Sequence, residues 1–189
     1  MASREEILRK IKANKPAEVE LPVITINNLS DSLLEKFTEV LRTIGGDVEI
    51  VPKADLESRV KSLYPAQKHI ATRLFATDFE VSAMSEKEFL KNVDVAVIQG
   101  EIAIAENGCI WVSAEQMLHR ALPFINQHLV LVIEESMLVP DMHQAYAKIK
   151  DIGSYGVFIA GPSKTADIEQ SLVIGAHGAR SMRAFVIRD

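Results

Sequence analysis

The first apolar pattern along the chain is a narrow stripe at helical spacing within residues 3–13. Its members are Ile7, Leu8 and Ile11. Ser3 and Glu6 have the spacing of a capping box, so this segment is predicted to form a short amphipathic helix. A linker with two prolines follows. We interpret residues 1–22 as a helical arm and linker that must dock on its own domain or on a neighbouring chain, which leaves a homo-oligomer open.

Beyond the arm, short apolar runs alternate with amphipathic segments. Helices are predicted at residues 31–44, 54–63, 141–150 and 165–174. Strands are predicted at residues 48–51, 69–72, 93–98, 110–112, 129–133, 157–160 and 184–187. This alternation indicates an α/β fold with a mostly parallel sheet and helices on both faces. Residues 23–189 are therefore interpreted as a single domain, in which residues 157–159 form a central, nearly inaccessible strand.

Composition narrows the class of protein. The 189 residues are enough for one well-buried domain, and 48% hydrophobic with 25% charged residues is the balance of an ordinary globular protein. A net charge of −5 argues against a nucleic-acid partner, which requires a concentrated basic face. The apolar runs are too short to span a bilayer, and the N-terminus lacks the apolar stretch of a secretory signal. We therefore expect a cytoplasmic protein with no membrane span.

Cysteine and histidine usage bounds the metal chemistry. Cys109 is the only cysteine, so it forms no internal disulfide and cannot alone hold an iron–sulfur cluster or a thiolate zinc site. The five histidines are scattered, and none pairs with another at the spacing of helical metal ligands. We expect no metal site and no cofactor within this chain.

A buried strand that runs into Gly-Pro-Ser is the most informative local pattern. The candidate ligand-binding residues there are Gly161, Pro162, Ser163, Lys164, Thr165 and Asp167. If a helix begins after this turn, its free backbone N–H groups and its dipole favour an anion. Hydroxyl groups and a lysine ammonium add donors, and the glycine permits close approach of a ligand. In a parallel sheet such a turn lies at a carboxyl end, where ligands bind, so we expect a phosphate or carboxylate here. The alternative is a turn that only caps the helix.

Two further turns carry candidate catalytic or binding residues. Glu-Asn-Gly between two apolar runs predicts a tight hairpin with Glu106 and Gly108 in its turn. Glu106 is a candidate catalytic carboxylate, and a solvated turn glutamate is the alternative. His177 stands before Gly178 in a glycine-rich segment and is a candidate acid or base. Its alternative role is to complement the end of the preceding helix.

Three motifs in this order resemble the lactate-utilization protein C family, whose members carry a LUD domain. They are Ala-Glu-Asn-Gly at residues 105–108, Gly-Pro-Ser-Lys-Thr-Ala-Asp-Ile-Glu at residues 161–169, and Gly-Ala-His-Gly at residues 175–178. The resemblance covers about residues 70 to 189. This chain departs from the family pattern at Asn107 and Cys109, where threonine is usual, and at Ala179, where proline is usual.

The resemblance implies a fold like that of the sugar-phosphate isomerase and CoA-transferase superfamily. It also implies a role in oxidising L-lactate to pyruvate, together with partner subunits that carry the iron–sulfur clusters. Two alternatives stay open. One is a self-sufficient enzyme of the isomerase or CoA-transferase type with Glu106 as base or nucleophile, and the other is a non-catalytic assembly or regulatory subunit. A continuous helix over residues 165–174 would separate its ends by roughly 15 Å and place His177 away from Ser163.

Overall fold

The computed structural model describes residues 3–20, 22, 32–166, 172–175 and 177–188. The helices are α1 Arg4–Ala13, α2 Leu33–Thr43, α3 Leu56–Leu63, α4 Lys87–Leu90, α5 Leu122–Ile125 and α6 Met142–Lys148. The strands are β1 Asp47–Val51, β2 Ile70–Thr72, β3 Val95–Gln99, β4 Ile102–Ile104, β5 Ile110–Ser113, β6 His128–Glu134, β7 Leu138–Val139, β8 Gly156–Ile159, β9 Lys164–Ala166, β10 Leu172–Ile174 and β11 Ser181–Ile187.

The core of the molecule is a parallel sheet in the order β1-β11-β6-β3-β2. Strands β11 and β6 pair over seven positions at its centre, from Ser181↔His128 to Ile187↔Glu134. Apolar residues fill both faces, as expected for strands that are covered on each side. The predicted α/β class with a mostly parallel sheet is confirmed.

Alternation along the strands sends successive side chains to opposite cores. Val130 and Val132 of β6 join Phe185 in the core beneath α3. Leu129 and Leu131 join the core that contains the α2 residues. Each of these side chains is almost completely buried. Burial of a side chain of this size contributes roughly 1.5–3 kcal/mol, so the two cores supply the main stabilisation of the domain.

A second sheet in the order β7-β4-β5-β8 covers the α2 face of the parallel sheet together with α2. It is mixed, because β4 pairs parallel with β7 but antiparallel with β5. Its outer face packs Ile104 and Trp111 around Ala145 of α6. The predicted hairpin at residues 103–112 is therefore confirmed as β4 and β5.

The prediction that residues 157–159 form a central, inaccessible strand is wrong. They belong to β8, an edge strand of the second sheet, and their side chains are only half-buried. Strand β8 pairs with β5, from Ile110↔Ile159 to Ser113↔Gly156. An apolar Val-Phe-Ile run suits a half-covered edge as well as a central strand, which is why the pattern misassigned it.

The prediction of one helix over residues 165–174 is also wrong. Strand β9 pairs antiparallel with β10, with Thr165 opposite Val173. The ends of this predicted helix are rich in β-branched residues, which favour extended backbone. Residues 167–171, including the candidate ligand residue Asp167, lie outside the described residues.

The N-terminal helix forms as predicted. Ser3 Oγ accepts a hydrogen bond from Glu6 N at 3.3 Å, as its capping position requires. The stripe of Ile7, Leu8 and Ile11 is exposed to 49%, 45% and 55%. The division into an arm and one domain stays a prediction. Within the part of the chain that the structure describes, no helix is long and apolar enough to cross a membrane.

Candidate functional site

The turn between β4 and β5 is built by an asparagine and a glycine. Asn107 Oδ1 accepts a hydrogen bond from Cys109 N at 3.0 Å, and Gly108 N donates to Ile104 O at 2.9 Å. Gly108 has a φ of +71°, a backbone conformation that favours glycine. The hairpin predicted from this Asn-Gly pair therefore forms with the glycine as its left-handed residue.

Gly108 also packs directly on helix α2. A Cβ at this position would lie 3.2 Å from the backbone N and Cα of Leu41. Contacts this short between a Cβ and the backbone of another element are rarely tolerated, because the backbone cannot rotate away. Glycine is therefore required here by the close approach of the turn to α2 as well as by its own φ.

The turn after β8 meets the same end of α2. Gly161 has a φ of +72°, and a Cβ on it would lie 2.9 Å from Ile44 O, the C-cap residue of α2. The Lys164 ammonium reaches the next residue, because Nζ lies 2.9 Å from the position of a Cβ on Gly45. A cation at a helix C-terminus interacts favourably with the helix dipole, so the Lys164 ammonium already has a partner in the C-terminal end of α2.

Ser163 links this turn to the segment that contains His177. Ser163 N donates to Ala179 O at 3.0 Å, and Gly175 N donates to Ser163 O at 3.1 Å. A Cβ on Gly178 would lie 3.0 Å from Ser163 Cβ. The β9–β10 hairpin therefore returns the chain to Ser163, and the separation of roughly 15 Å that a continuous helix would impose does not arise.

The three motifs are thus gathered around the C-terminal end of α2. Because α2 leads through Gly45 and Gly46 into β1, this place lies at the amino edge of the parallel sheet. The prediction that residues 161–165 follow the carboxyl end of a parallel strand is wrong, since β8 belongs to the second sheet. Thr165 lies in a strand and begins no helix, so the expected attraction of a helix dipole for an anion is missing at this residue.

Among the described residues, the turn after β8 offers polar side chains to a ligand. Ser163 is half-buried, whereas Lys164 and His177 are exposed. The backbone N–H of Ser163 is occupied by Ala179 O and is not available to a ligand. The hydroxyl of Ser163 and the ammonium of Lys164 can contact an anion at this turn, and the exposed Arg180 packs on Gly175 of the neighbouring segment. Thr165 lies in β9, and its role in binding stays a prediction.

Glu106 has a structural contact. Its Oε2 accepts a hydrogen bond from Met142 N at 3.1 Å, at the first residue of α6. Asp141 Oδ1 accepts from Gln144 N at 2.9 Å, so two carboxylates satisfy donors at this helix start. Glu106 is nevertheless exposed, so its carboxylate remains accessible to other molecules.

The surroundings of Cys109 disfavour ionisation of its thiol. Burial raises the pKa of Cys109, and the nearby Glu106 carboxylate raises it further. A raised pKa reduces the thiolate that carries nucleophilic or metal-binding chemistry. Among the described residues, no group of three or more histidine, cysteine, aspartate and glutamate side chains is placed to hold a metal ion.

Comparison with known proteins identifies the family. A model of the LUD domain matches residues 61–187, which include all three motifs. The chain belongs to the LUD domain family. A crystal structure of a DUF162 family protein from Deinococcus radiodurans has the same fold, with a TM-score of 0.66 at 16% identity over 82% of this chain and 96% of that chain.

Named relatives of this LUD domain protein extend the match to nearly the full chain. Lactate utilization protein C of Bacillus pumilus is 28% identical over 94% of this chain and 77% of its own length. Lactate utilization protein C of Geobacillus sp. strain WCH70 is 26% identical over 99% of this chain and 80% of its own length. The resemblance inferred from the motifs is confirmed.

Sequence reasoning missed the part of the site that α2 contributes. In the sequence, Gly45 and Gly46 indicate only a helix stop, yet Ile44 and Gly45 are the surface on which the turns of this LUD domain meet. The one sequence feature that could have indicated this contact is the number of glycines at the ends of apolar runs. Glycines that must accept a close neighbour mark places where elements meet, but the pattern does not say which neighbour.

Proposed function

We propose that this chain takes part in lactate utilization, as a subunit of a system that oxidises L-lactate to pyruvate. The observation that carries the proposal is the match to relatives named lactate utilization protein C along 94% and 99% of this chain. The gathering of three separate family motifs at one place supports it, because a fold alone does not require them to meet.

The reaction chemistry motivates partner subunits. Oxidation of lactate to pyruvate removes two electrons and two protons, so an electron acceptor is needed. Iron–sulfur clusters are held by several cysteine thiolates, and this chain has one cysteine. We therefore assign the clusters to partner subunits and expect this chain to act with them.

A small anion is the proposed ligand of residues 161–165. Lys164 supplies a positive charge and Ser163 a hydroxyl donor, which are the groups that a carboxylate or phosphate requires. His177 lies one residue from Gly178, which contacts Ser163, so its imidazole is a candidate acid or base beside the same ligand. Asp167 belongs to this proposal on sequence grounds only.

One observation favours a second candidate function, a non-catalytic assembly subunit. Lys164 lies against the end of α2, and Glu106 holds the start of α6, so two polar motif residues have structural tasks. The third candidate, an independent enzyme with Glu106 as base or nucleophile, is tested by Glu106→Gln. Glutamine keeps an acceptor for Met142 N but removes the carboxylate, so loss of function without loss of stability would support that enzyme.

Growth of the source organism tests the proposed function. A strain without this gene is expected to grow on pyruvate but not on L-lactate as sole carbon source, and the wild-type gene is expected to restore growth. Co-purification from lactate-grown cells, followed by an iron assay of the eluted partners, checks the assignment of the clusters. Equal growth of the deletion and parent strains on L-lactate would refute the role.

A further inference from the structure

A cleft opens at the edge of the parallel sheet opposite to the gathered motifs. It has a volume of about 220 Å³ and is lined by the last residues of three strands, Gln99 of β3, Glu134 of β6 and Ile187 of β11. Strand β6 rises about 3.3 Å per residue over seven residues, so roughly 20 Å separates the two edges. This cleft is therefore not part of the site described above.

The position of the cleft is the one where open parallel sheets bind ligands. Carboxyl ends of neighbouring strands leave a crevice that the following loops enclose. Here the loop after β1 contributes Lys53, and the segment after β2 contributes Leu74 and Phe75. The last two are partly buried against the core beneath α3, so they form a fixed apolar wall.

The polar lining carries opposite charges that are only loosely joined. Lys53 Nζ lies 3.7 Å from Glu134 Oε1, which is longer than a hydrogen bond, and their side chains are 70% and 38% exposed. Exposed pairs of this kind contribute little to stability, so a ligand can replace the contact. Glu57, which also lines the cleft, is held by Lys61 at 2.6 Å.

Gln99 adds a rigid polar group to the floor of the cleft. Its Nε2 donates to Gly100 O at 2.9 Å and to Val132 O at 3.0 Å. Both amide hydrogens are therefore committed to backbone carbonyls, and the orientation of the side chain is set by the sheet. The amide oxygen is left as an acceptor for a donor on a ligand.

We propose that this cleft binds a small zwitterion with an apolar group, the chemistry of an aliphatic α-amino acid. A ligand carboxylate would pair with Lys53 and a ligand ammonium with Glu134, while the side chain packs on Leu74 and Phe75. A ligand that has a carboxylate but no ammonium would leave Glu134 without a partner. A ligand that has an amine but no carboxylate would leave Lys53 without one. The volume lies below the 300–1,000 Å³ that is usual for drug-sized ligands, which favours a molecule of this size.

Calorimetric titration of the full chain with L-leucine tests the proposal. Two analogues isolate the charges, because 4-methylpentanoate lacks the ammonium and 3-methylbutylamine lacks the carboxylate. Lys53→Met and Glu134→Gln remove one charge each from the protein. The matched controls are Lys36→Met and Glu39→Gln, which remove the charges of an exposed pair on α2 at 3.4 Å.

We expect saturable binding of L-leucine that weakens about three- to fivefold in each cleft variant and is unchanged in each control. Both analogues are expected to bind about three- to fivefold more weakly than L-leucine. Thermal melts of all four variants verify that they fold. Absence of saturable L-leucine binding, equal affinity for either analogue, or equal loss in the control variants would overturn the proposal.

Discussion

At the scale of single residues, the described site depends on glycines more than on charged groups. Gly108 and Gly161 both have positive φ, and both approach the end of α2 so closely that an added Cβ would lie 3.2 Å and 2.9 Å, respectively, from its backbone. Their positions were predictable from the sequence as turn residues. Their second requirement, contact with α2, was not predictable, because α2 is remote from both turns along the chain.

Gly161 has both a positive φ and a close contact with α2, which predicts that Gly161→Ala destabilises the fold more than a substitution at a glycine with positive φ alone. Gly161→Ala must adopt a left-handed backbone, which costs about 1–2 kcal/mol, and must also displace Ile44 O. Gly153→Ala is the matched control, since Gly153 has a φ of +63° but a Cβ there would meet no atom of the described residues within 4 Å. Urea unfolding is expected to show a larger loss for Gly161→Ala, and equal losses would contradict the packing of this turn on α2.

The raised pKa of Cys109 predicts an unreactive thiol. Burial and then the Glu106 carboxylate favour the neutral form, so alkylation at pH 7 is expected to be slower in the folded chain than in urea. Cys109→Ala is expected to restore lactate growth as well as the wild type does. Loss of growth in that variant, with an unchanged melting temperature, would show that the thiol has a function.

His128 predicts a dependence of stability on pH. Burial and then the charge of Arg180 lower the pKa of His128, while Asp94 opposes them. The folded state binds a proton at His128 less readily than the unfolded state does. The free energy of unfolding is therefore at its full value with respect to this group above about pH 6.5 and decreases as the pH falls below that value. Urea unfolding between pH 5 and 7.5 should show a weaker pH dependence in His128→Gln, whereas the exposed control His143→Gln should match the wild type.

At the scale of elements, the parallel sheet was predictable and the second sheet was not. Strand β1 alternates β-branched and charged residues, β6 holds an uninterrupted apolar run over residues 129–133, and both were predicted. Strand β7 has two residues, too few to show a period, and β4 was predicted only as one arm of a hairpin, so the second sheet was missed. The β9–β10 pairing was missed because the mixture of apolar and polar residues over 165–174 imitates an amphipathic helix.

The exposed stripe of α1 predicts a role in association. Ile7, Leu8 and Ile11 remain about half exposed, so α1 gains little from packing within the described chain. Deletion of residues 1–20 is therefore expected to leave the melting temperature of the domain nearly unchanged and to weaken self-association or partner binding. Light scattering and thermal melts measure the two effects. A large drop in the melting temperature would show instead that the arm belongs to the core.

At the scale of the whole molecule, the two edges of one parallel sheet carry different features. The three family motifs lie around α2 at the amino edge, and the cleft lined by Gln99 and Glu134 lies at the carboxyl edge. The α/β class was predictable from alternating runs. The separation of the two edges was not, because it depends on β8 joining the second sheet, a long-range pairing that local sequence does not encode.

Binding of a small anion by the gathered turns is tested most directly by calorimetric titration with L-lactate, phosphate and CoA. The wild type is expected to bind at least one of them at millimolar concentration or below. Lys164→Ala should weaken that binding by about 1 kcal/mol, and Ser163→Ala should weaken it as well. If none of the three anions binds the wild type, and Lys164→Ala changes only the melting temperature, the turns are structural and do not form an anion site.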